Sequence, residues 1–269
     1  MHGLGNDFVV IDLITQSLKL RAAHIKRIMD RRLGIGGDQL LLIEPPTRTT
    51  ADFYYRIFNA NGQEVEQCGN GARCAARFFY DMGFTNQRQL EADCLAGTLK
   101  FQIEDNTDVT ANIGSPKFKP SEIPFHVSQE SLEYPIKIEE NELSISALSM
   151  GNPHAVLQVP NIDTALVKKI GPLLSKHSAF PNETNVEFMQ VVDEHQIRLR
   201  IYERGIGETP ACGTGACAAV VAGIRLGLLK SPVSVWFQKG TLNIVWDDPH
   251  SPVYMTGPTT SVFVGSFRI

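Results

Sequence analysis

Apolar positions near the start of the chain follow a helical repeat. From Leu20 to Leu33 apolar residues return every three or four positions, which places Ile25, Ile28 and Leu33 on one side. Gly34 follows directly, and glycine commonly ends a helix because it tolerates a left-handed backbone. The pattern predicts an amphipathic helix from Leu20 to Leu33.

Four other stretches have the spacing of strands. Leu40–Ile43 is a short, continuous apolar run, whereas Phe53–Phe58 alternates between apolar and polar positions. Ile197–Tyr202 and Val233–Phe237 are further short runs rich in β-branched and aromatic residues. Strands interleaved with helices predict an α/β (α+β) fold built on mixed sheets.

One five-residue motif occurs twice in the chain. CGNGA at residues 68–72 returns as CGTGA at residues 212–216, an offset of 144 residues. Each copy opens a segment with helical spacing, from Gly71 to Met82 and from Gly215 to Leu226. The second segment is apolar almost all round, which predicts burial in the middle of its half.

Further residues repeat in the same order as this motif. At an offset of 144 or 146 residues the chain pairs Asn59 with Glu203, Glu64 with Glu208, Gly83 with Gly227, Gly5-Asn6 with Gly151-Asn152, and Gln39 with Asn185. An ordered set of this kind indicates two similar halves, because internal repeats follow architecture.

The repeat predicts two pseudo-symmetric halves, each a mixed sheet wrapped around one central helix. We expect residues 1–115, joined by a return segment at 258–269, to form the first half and residues 116–257 the second. Pro116, Pro120 and Pro124 mark the crossing between them. Two such halves are expected to pack about a pseudo-two-fold axis with equivalent residues facing a central cleft.

Composition narrows the functional classes. The chain has 269 residues, 43% of them apolar, and a net charge of −4, which favours neither nucleic acid nor an anionic membrane as a partner. No apolar run has the length of a membrane span, and residues 1–7 lack the basic and apolar regions of a signal peptide. We expect a cytoplasmic protein with reduced thiols.

The five cysteines suggest neither a disulfide framework nor a metal site. Their number is odd, no C-x-x-C occurs, and no histidines stand at zinc-finger spacing. Cys74, Cys94 and Cys217 are predicted to be core residues, since free cysteine is often buried.

Cys68 and Cys212 differ from the other cysteines because each directly precedes a helix. The N-terminus of a helix presents unpaired N–H groups and a positive partial charge, which favours thiolate and lowers a cysteine pKa. The glycines that follow let the backbone approach a ligand closely, so a carboxylate or a phosphate would fit there.

A matched pair of cysteines suits the inversion of a stereocentre. One thiolate removes a proton from one face of a carbon, and one thiol returns a proton to the other face. The carbanion between these steps needs electrostatic help, which two helix N-termini can supply without a cofactor. We therefore expect an amino-acid epimerase in which Cys68 and Cys212 are the acid and the base.

A family resemblance runs along the whole chain. It is carried by MHGLGNDF (residues 1–8), GGDQ (36–39), NANG (59–62), CGNGARC (68–74), GNPH (151–154), NVEF (185–188), YERG (202–205) and ACGTGA (211–216). Together these motifs resemble diaminopimelate epimerase. The resemblance implies an isomerase of lysine and peptidoglycan precursor biosynthesis that interconverts LL- and meso-diaminopimelate, needs neither cofactor nor metal, and forms a homodimer.

The same resemblance implies roles for individual residues. The catalytic pair would be Cys68 and Cys212. The reacting amino-acid end of the substrate would be held by Asn6, Gln39 and the backbone at Gly69, Asn70, Gly213 and Thr214. The distal end would be held by Asn59, Asn152, Asn185, Glu203 and Arg204. His154 and Glu203 would set which cysteine starts as thiolate.

One departure from the family pattern concerns the start of the chain. Family members usually have a few strand residues before the Met-His-Gly-Leu motif, and this chain begins at Met1. The expectation is either a misassigned start or a shortened edge strand.

Other functions remain as alternatives. A two-thiol racemase of the proline racemase type would bind one amino-acid end and would not need the distal set. An isomerase branch of the same fold lacks the paired cysteines. A redox protein with a Cys68–Cys212 disulfide, a non-catalytic amino-acid-binding module, and a pyridoxal-phosphate enzyme using Lys239 beside Gly240 are the others.

Overall fold

The computed structural model describes residues 1–65 and 68–268. The chain divides into two compact units, Met1–Asn112 with Thr256–Ile269, and Ile113–Met255. The domain boundaries expected at 115/116 and 257/258 lie within three residues of this contact-based division and stay a prediction.

Two helices and eight strands lie in the described part of the first unit. In chain order these are β1 His2–Gly3, β2 Asn6–Asp12, α1 Ala22–Met29, β3 Gln39–Glu44, β4 Phe53–Asn59, β5 Glu64–Val65, α2 Gly69–Asp81, β6 Gln89–Cys94, β7 Gly97–Ile103 and β8 Asp108–Gly114, whose end crosses the unit boundary.

The second unit contains two further helices and nine strands. After a short 3-10 turn at Pro120–Glu122 these are β9 Tyr134–Ile138, β10 Asn141–Ser149, β11 Pro153–Gln158, α3 Val167–Ser175, β12 Asn185–Asp193, β13 Gln196–Glu203, β14 Gly207–Thr209, α4 Gly213–Arg225, β15 Val233–Phe237, β16 Gly240–Val245 and β17 Val253–Pro258, which crosses the boundary back.

The strands pair in the same order in both units. In the first, β2 runs parallel to β3, β3 antiparallel to β4, β4 antiparallel to β5 and parallel to β6, and β6 antiparallel to β7. In the second, β11 runs parallel to β12, β12 antiparallel to β13, β13 antiparallel to β14 and parallel to β15, and β15 antiparallel to β16. The predicted α/β fold of two similar mixed-sheet halves is confirmed.

A repeated ion pair fixes the strand that leads to each cysteine. Arg56 donates from Nε to Glu64 Oε1 over 2.7 Å, and Arg200 donates from Nε to Glu208 Oε1 over the same distance. Both pairs join the last long strand to the short strand before the helix. The repeated glutamates therefore hold the approach to each cysteine and have a structural role here.

Helices α2 and α4 are the central helices of their units. Each has thirteen residues, and α4 is buried along almost its whole length. Both begin two residues earlier than predicted, so Gly71 and Gly215 lie inside them. Gly83 and Gly227 follow their ends with φ of +73° and +71°, as expected of glycine stops.

Glycine inside each central helix allows the helix to pack closely against the sheet. A Cβ at Gly71 would lie 3.1 Å from Ile57 Cδ1, and a Cβ at Gly215 would lie 2.7 Å from Ile201 Cδ1. Close approach of the backbone to a ligand, the explanation offered from the sequence, stays a prediction for these two glycines. They let the start of the helix lie directly on its sheet.

Helix α1 is shorter than predicted. It ends at Met29, and the Asp30 carboxylate accepts the N–H groups of Arg32 and Leu33, which form a turn. Ile25 and Ile28 are buried as expected, but Leu33 is 82% exposed. The carboxylate offers the backbone a local hydrogen-bonding alternative to continued helix.

Helix α3 was not predicted from the sequence. It contains Pro172, a residue that usually interrupts helices, and Gly171, whose added Cβ would lie 2.7 Å from the Tyr202 ring. Tertiary packing on β13 overrides the weak local preference here. Among the described residues, no helix has the length and apolar character that would let it cross a membrane.

Candidate active site

Both repeated cysteines occupy the N-cap position of a central helix. Cys68 and Cys212 have extended backbone angles, and their carbonyl oxygens accept the first helical hydrogen bonds, from Ala72 over 2.8 Å and from Ala216 over 3.0 Å. The next N–H groups in each helix have no intrahelical acceptor. Each cysteine thus lies beside a set of donors suited to a carboxylate.

In the first unit, the Cys68 thiol contacts Asn6. The Sγ–Oδ1 distance is 3.6 Å, and Asn6 Nδ2 donates to Asp38 Oδ2 over 3.1 Å. Asp38 in turn accepts a hydrogen bond from Arg31 over 2.8 Å. Asn6 therefore directs its carbonyl oxygen at the cysteine.

Asp7 completes this network. Arg31 holds it through two 2.8 Å hydrogen bonds, and this contact lowers the pKa of Asp7 to about 2. Asp38 was not predicted as a site residue, although it lies in the GGDQ motif that carried the family resemblance. Its role is visible only once β2 and the loop before β3 are placed together.

Gln39 and Asn59 face each other on neighbouring strands. They are register partners on β3 and β4, and Gln39 Nε2 donates to Asn59 Oδ1 over 3.0 Å.

The Asn70 side chain contacts Arg73 on the same helix. It is buried, and its Oδ1 accepts a 2.8 Å hydrogen bond from Arg73.

In the second unit, Cys212 is half-buried and its Sγ lies 3.5 Å from Thr214 Oγ1. Burial raises the pKa of the Cys212 thiol well above its usual value, and the nearby Glu203 carboxylate raises it further. Thr214 and the Gly215 N–H lower this pKa by less. The expectation that the helix start would lower the pKa of both cysteines is wrong for Cys212.

Asn185, Glu203 and Arg204 lie around the end of β13. The Asn185 side chain is buried and accepts the Arg204 N–H over 3.0 Å. Glu203 accepts a hydrogen bond from the Thr209 hydroxyl. The Arg204 guanidinium is exposed and donates to the Asn182 carbonyl over 3.2 Å. Asn185 thus holds the turn that carries the two charged residues.

His154 lies at the centre of a buried polar chain. Its Nδ1 is 2.7 Å from Glu187 Oε1, and its Nε2 is 3.0 Å from Asn152 Oδ1. His154 and Glu187 are both fully buried. Burial also raises the pKa of Glu187, with neighbouring His154 acting in the opposite direction.

Glu187 was missed as a site residue. The available signal was an ionisable residue directly between two apolar residues of a strand, Val186 and Phe188. Within residues 1–65 and 68–268, no group of three or more histidine, cysteine or acidic side chains has the arrangement of a metal site.

Comparison with known proteins identifies the family. The sequence profile of diaminopimelate epimerase matches residues 1–119 and 146–262. The chain is 52% identical to a diaminopimelate epimerase of Nitrosospira multiformis, over all of this chain and 97% of the relative. It is 49% identical to one of Pseudomonas aeruginosa, over all of this chain and 98% of the relative.

Solved structures share the fold at low sequence identity. A PhzF-family phenazine biosynthesis protein of Bacillus anthracis has a TM-score of 0.65 at 20% identity, covering 96% of this chain and 92% of its own. A probable proline racemase of Agrobacterium radiobacter has a TM-score of 0.63 at 16% identity, covering 96% and 88%.

These matches confirm both the resemblance drawn from the motifs and the isomerase class. The family profile matches most of the chain, and about half of all residues are identical to those of relatives over its full length. Both findings identify the same family. The chain belongs to the diaminopimelate epimerase family.

Proposed function

We propose that this chain interconverts LL- and meso-diaminopimelate by moving one proton at the α-carbon between Cys68 and Cys212. One observation carries the proposal: the two cysteines are N-caps of two equivalent thirteen-residue helices. Both sulfurs therefore lie beside backbone donors that can bind the carboxylate of the reacting amino acid.

The proposed step is balanced in protons and charge. The Cys68 thiolate takes the α-proton and becomes a thiol, while the bond electrons remain on the α-carbon. The Cys212 thiol then donates its proton to the opposite face and becomes the thiolate. The raised pKa of Cys212 supports its role as the acid in this direction, and the reverse reaction exchanges the roles.

Electrostatic stabilisation of the carbanion replaces a cofactor in this proposal. Backbone N–H groups at Gly69, Asn70, Gly213 and Thr214 would hold the substrate carboxylate, whose negative charge grows as the α-proton leaves. Preorganised donors of this kind stabilise developing charge because they need no reorganisation during the reaction. Asn6 and Gln39 would hold the α-amino group and its surroundings.

The distal end of the substrate is also an amino acid. Its carboxylate suits the exposed Arg204 guanidinium with amide donors from Asn59, Asn152 and Asn185. Its ammonium suits Glu203. This second set favours diaminopimelate over a one-headed substrate of the proline racemase type, as do the names of relatives about 50% identical over the whole chain.

Replacing either N-cap cysteine is expected to remove activity. Cys68→Ser and Cys212→Ser should each lower kcat for LL-diaminopimelate by about a hundredfold or more, since a serine hydroxyl is a poor acid and base at neutral pH. Coupled assays of meso-diaminopimelate formation measure the effect. Cys217→Ser, the same change deeper in α4, serves as the control and should keep most activity. Near-normal activity in either N-cap variant contradicts the proposal.

Neutralising Glu203 is expected to make Cys212 more reactive. Glu203→Gln removes the nearby negative charge that raises the Cys212 pKa, so more thiolate is present at neutral pH. Alkylation of Cys212 by iodoacetamide, followed by mass spectrometry, should accelerate roughly tenfold. Glu142→Gln, the same change at an exposed glutamate of β10, should leave the rate unchanged. Slower alkylation in Glu203→Gln contradicts this account of the thiol.

We also propose a cytoplasmic homodimer. Val262, Phe263 and Val264 form an exposed apolar run near the end of the chain, with exposed fractions of 62%, 68% and 86%. Consecutive exposed apolar side chains are characteristic of a surface that another chain covers.

The dimer proposal predicts a change of mass on disrupting this run. Phe263→Asp should sediment near 29.7 kDa, whereas the unaltered chain should sediment at about twice that mass. Leu33→Asp, a control at another exposed apolar position, should remain dimeric. A monomeric unaltered chain, or a dimeric Phe263→Asp variant, contradicts the proposed interface.

A further inference from the structure

Asn6 and Asn152 occupy equivalent positions in the repeat, but each is hydrogen-bonded through a different end of its side-chain amide. Asn6 is anchored through Nδ2, which donates to Asp38, so its Oδ1 is directed at Cys68. Asn152 is anchored through Oδ1, which lies 3.0 Å from His154 Nε2. The first asparagine therefore presents an acceptor, and the second keeps its Nδ2 donors for another group.

The anchor of Asn152 determines the protonation of His154. An amide oxygen only accepts hydrogen bonds, so Nε2 must carry a hydrogen. Nδ1 then either accepts a hydrogen bond from a Glu187 carboxylic acid or, if protonated, donates a hydrogen bond to a Glu187 carboxylate. The pair is neutral overall in both cases. Burial of Glu187 and the resulting rise of its pKa favour the carboxylic acid.

Glu187 needs an explanation because the first unit does without it. A Cβ at Gly71 would lie 3.1 Å from Phe8 and 3.3 Å from Leu41, whereas a Cβ at Gly215 would lie 2.8 Å from Glu187 Oε1. Phe8 and Leu41 stand at the repeat positions of His154 and Glu187. An apolar pair thus fills the same place beneath the equivalent helix.

The polar pair costs stability relative to that apolar pair. Among the described residues Glu187 Oε2 has no hydrogen-bond partner, and burying such an atom is unfavourable. Replacing buried polar pairs by well-packed apolar side chains is often neutral or stabilising. A role other than packing accounts for its presence.

We propose that Glu187 is a positioning residue that, through His154, turns Asn152 so that its Nδ2 group donates to the distal carboxylate of a two-headed substrate. This inference rests on the proposed function. Glu187 donates to Nδ1, which leaves the hydrogen on Nε2 and anchors Asn152 Oδ1. Without Glu187, Nδ1 can carry the hydrogen, and Asn152 can turn its oxygen towards the carboxylate and repel it.

The test replaces the polar pair by the pair that the first unit already uses. The double variant His154→Phe with Glu187→Leu should fold, because Phe8 and Leu41 pack in the equivalent place. Calorimetry measures its affinity for LL-diaminopimelate and L-α-aminopimelate, which have a distal carboxylate, and for L-lysine, which has none. We expect about ten- to a hundredfold weaker binding of the first two and less than about twofold change for lysine.

Two single variants separate positioning from general destabilisation. Glu187→Gln can donate to Nδ1 as the acid does and should keep affinity within about threefold. Phe188→Leu alters the same strand on its other face, in the apolar core, and should lower Tm without changing the preference for the distal carboxylate.

The outcomes distinguish this inference from the proposed function. Equal weakening of all three ligands in the double variant, unchanged binding in that variant, or a loss in Glu187→Gln as large as that of the double variant each overturns the positioning role. Failure of the unaltered chain to exchange the α-hydrogen of diaminopimelate with solvent contradicts the proposed function instead. Exchange with unchanged ligand preference contradicts the positioning role alone.

Discussion

The close contact between the first turn of each central helix and its sheet is the constraint on which the site depends. A side chain at Gly215 would collide with Ile201, and one at Gly71 would lie tightly against Ile57. Each helix start is thereby fixed, and with it the cysteine at the N-cap and the backbone donors beside it. The proposed cysteine chemistry would depend on this packing, since the donors are oriented before any ligand arrives.

The two units share one scaffold but differ in the residues around it. The strand pairings, the two Arg–Glu pairs and the helix lengths repeat, whereas the residues beneath the helices do not. Phe8 and Leu41 in one unit correspond to His154 and Glu187 in the other. Asn59 corresponds to Glu203, whose charge raises the pKa of Cys212. In the proposed mechanism, these differences would let two similar cysteines begin a reaction in different protonation states.

Much of this organisation was accessible from the sequence. The repeat predicted two similar halves, and the sequence motifs predicted the family. Both predictions were possible because each motif is a short run of consecutive residues. The predicted length of α1 was wrong because Asp30 accepts the backbone hydrogen bonds of a turn, and the spacing of apolar residues gives no sign of that turn. Helix α3, Asp38 and Glu187 were missed because their roles depend on contacts between distant segments. The predicted direction of the Cys212 pKa shift was wrong because the helix effect was considered without burial and the Glu203 carboxylate, which both raise that pKa.

The placement of solvent deuterium tests the central claim most directly. LL-diaminopimelate is incubated with the enzyme in D2O and sampled early in the reaction. Two separate thiols predict that the meso product carries deuterium at the inverted carbon while the remaining LL substrate keeps its α-hydrogen. A single base that serves both faces would place deuterium in the recovered LL substrate as fast as in the product, and that result would contradict the account.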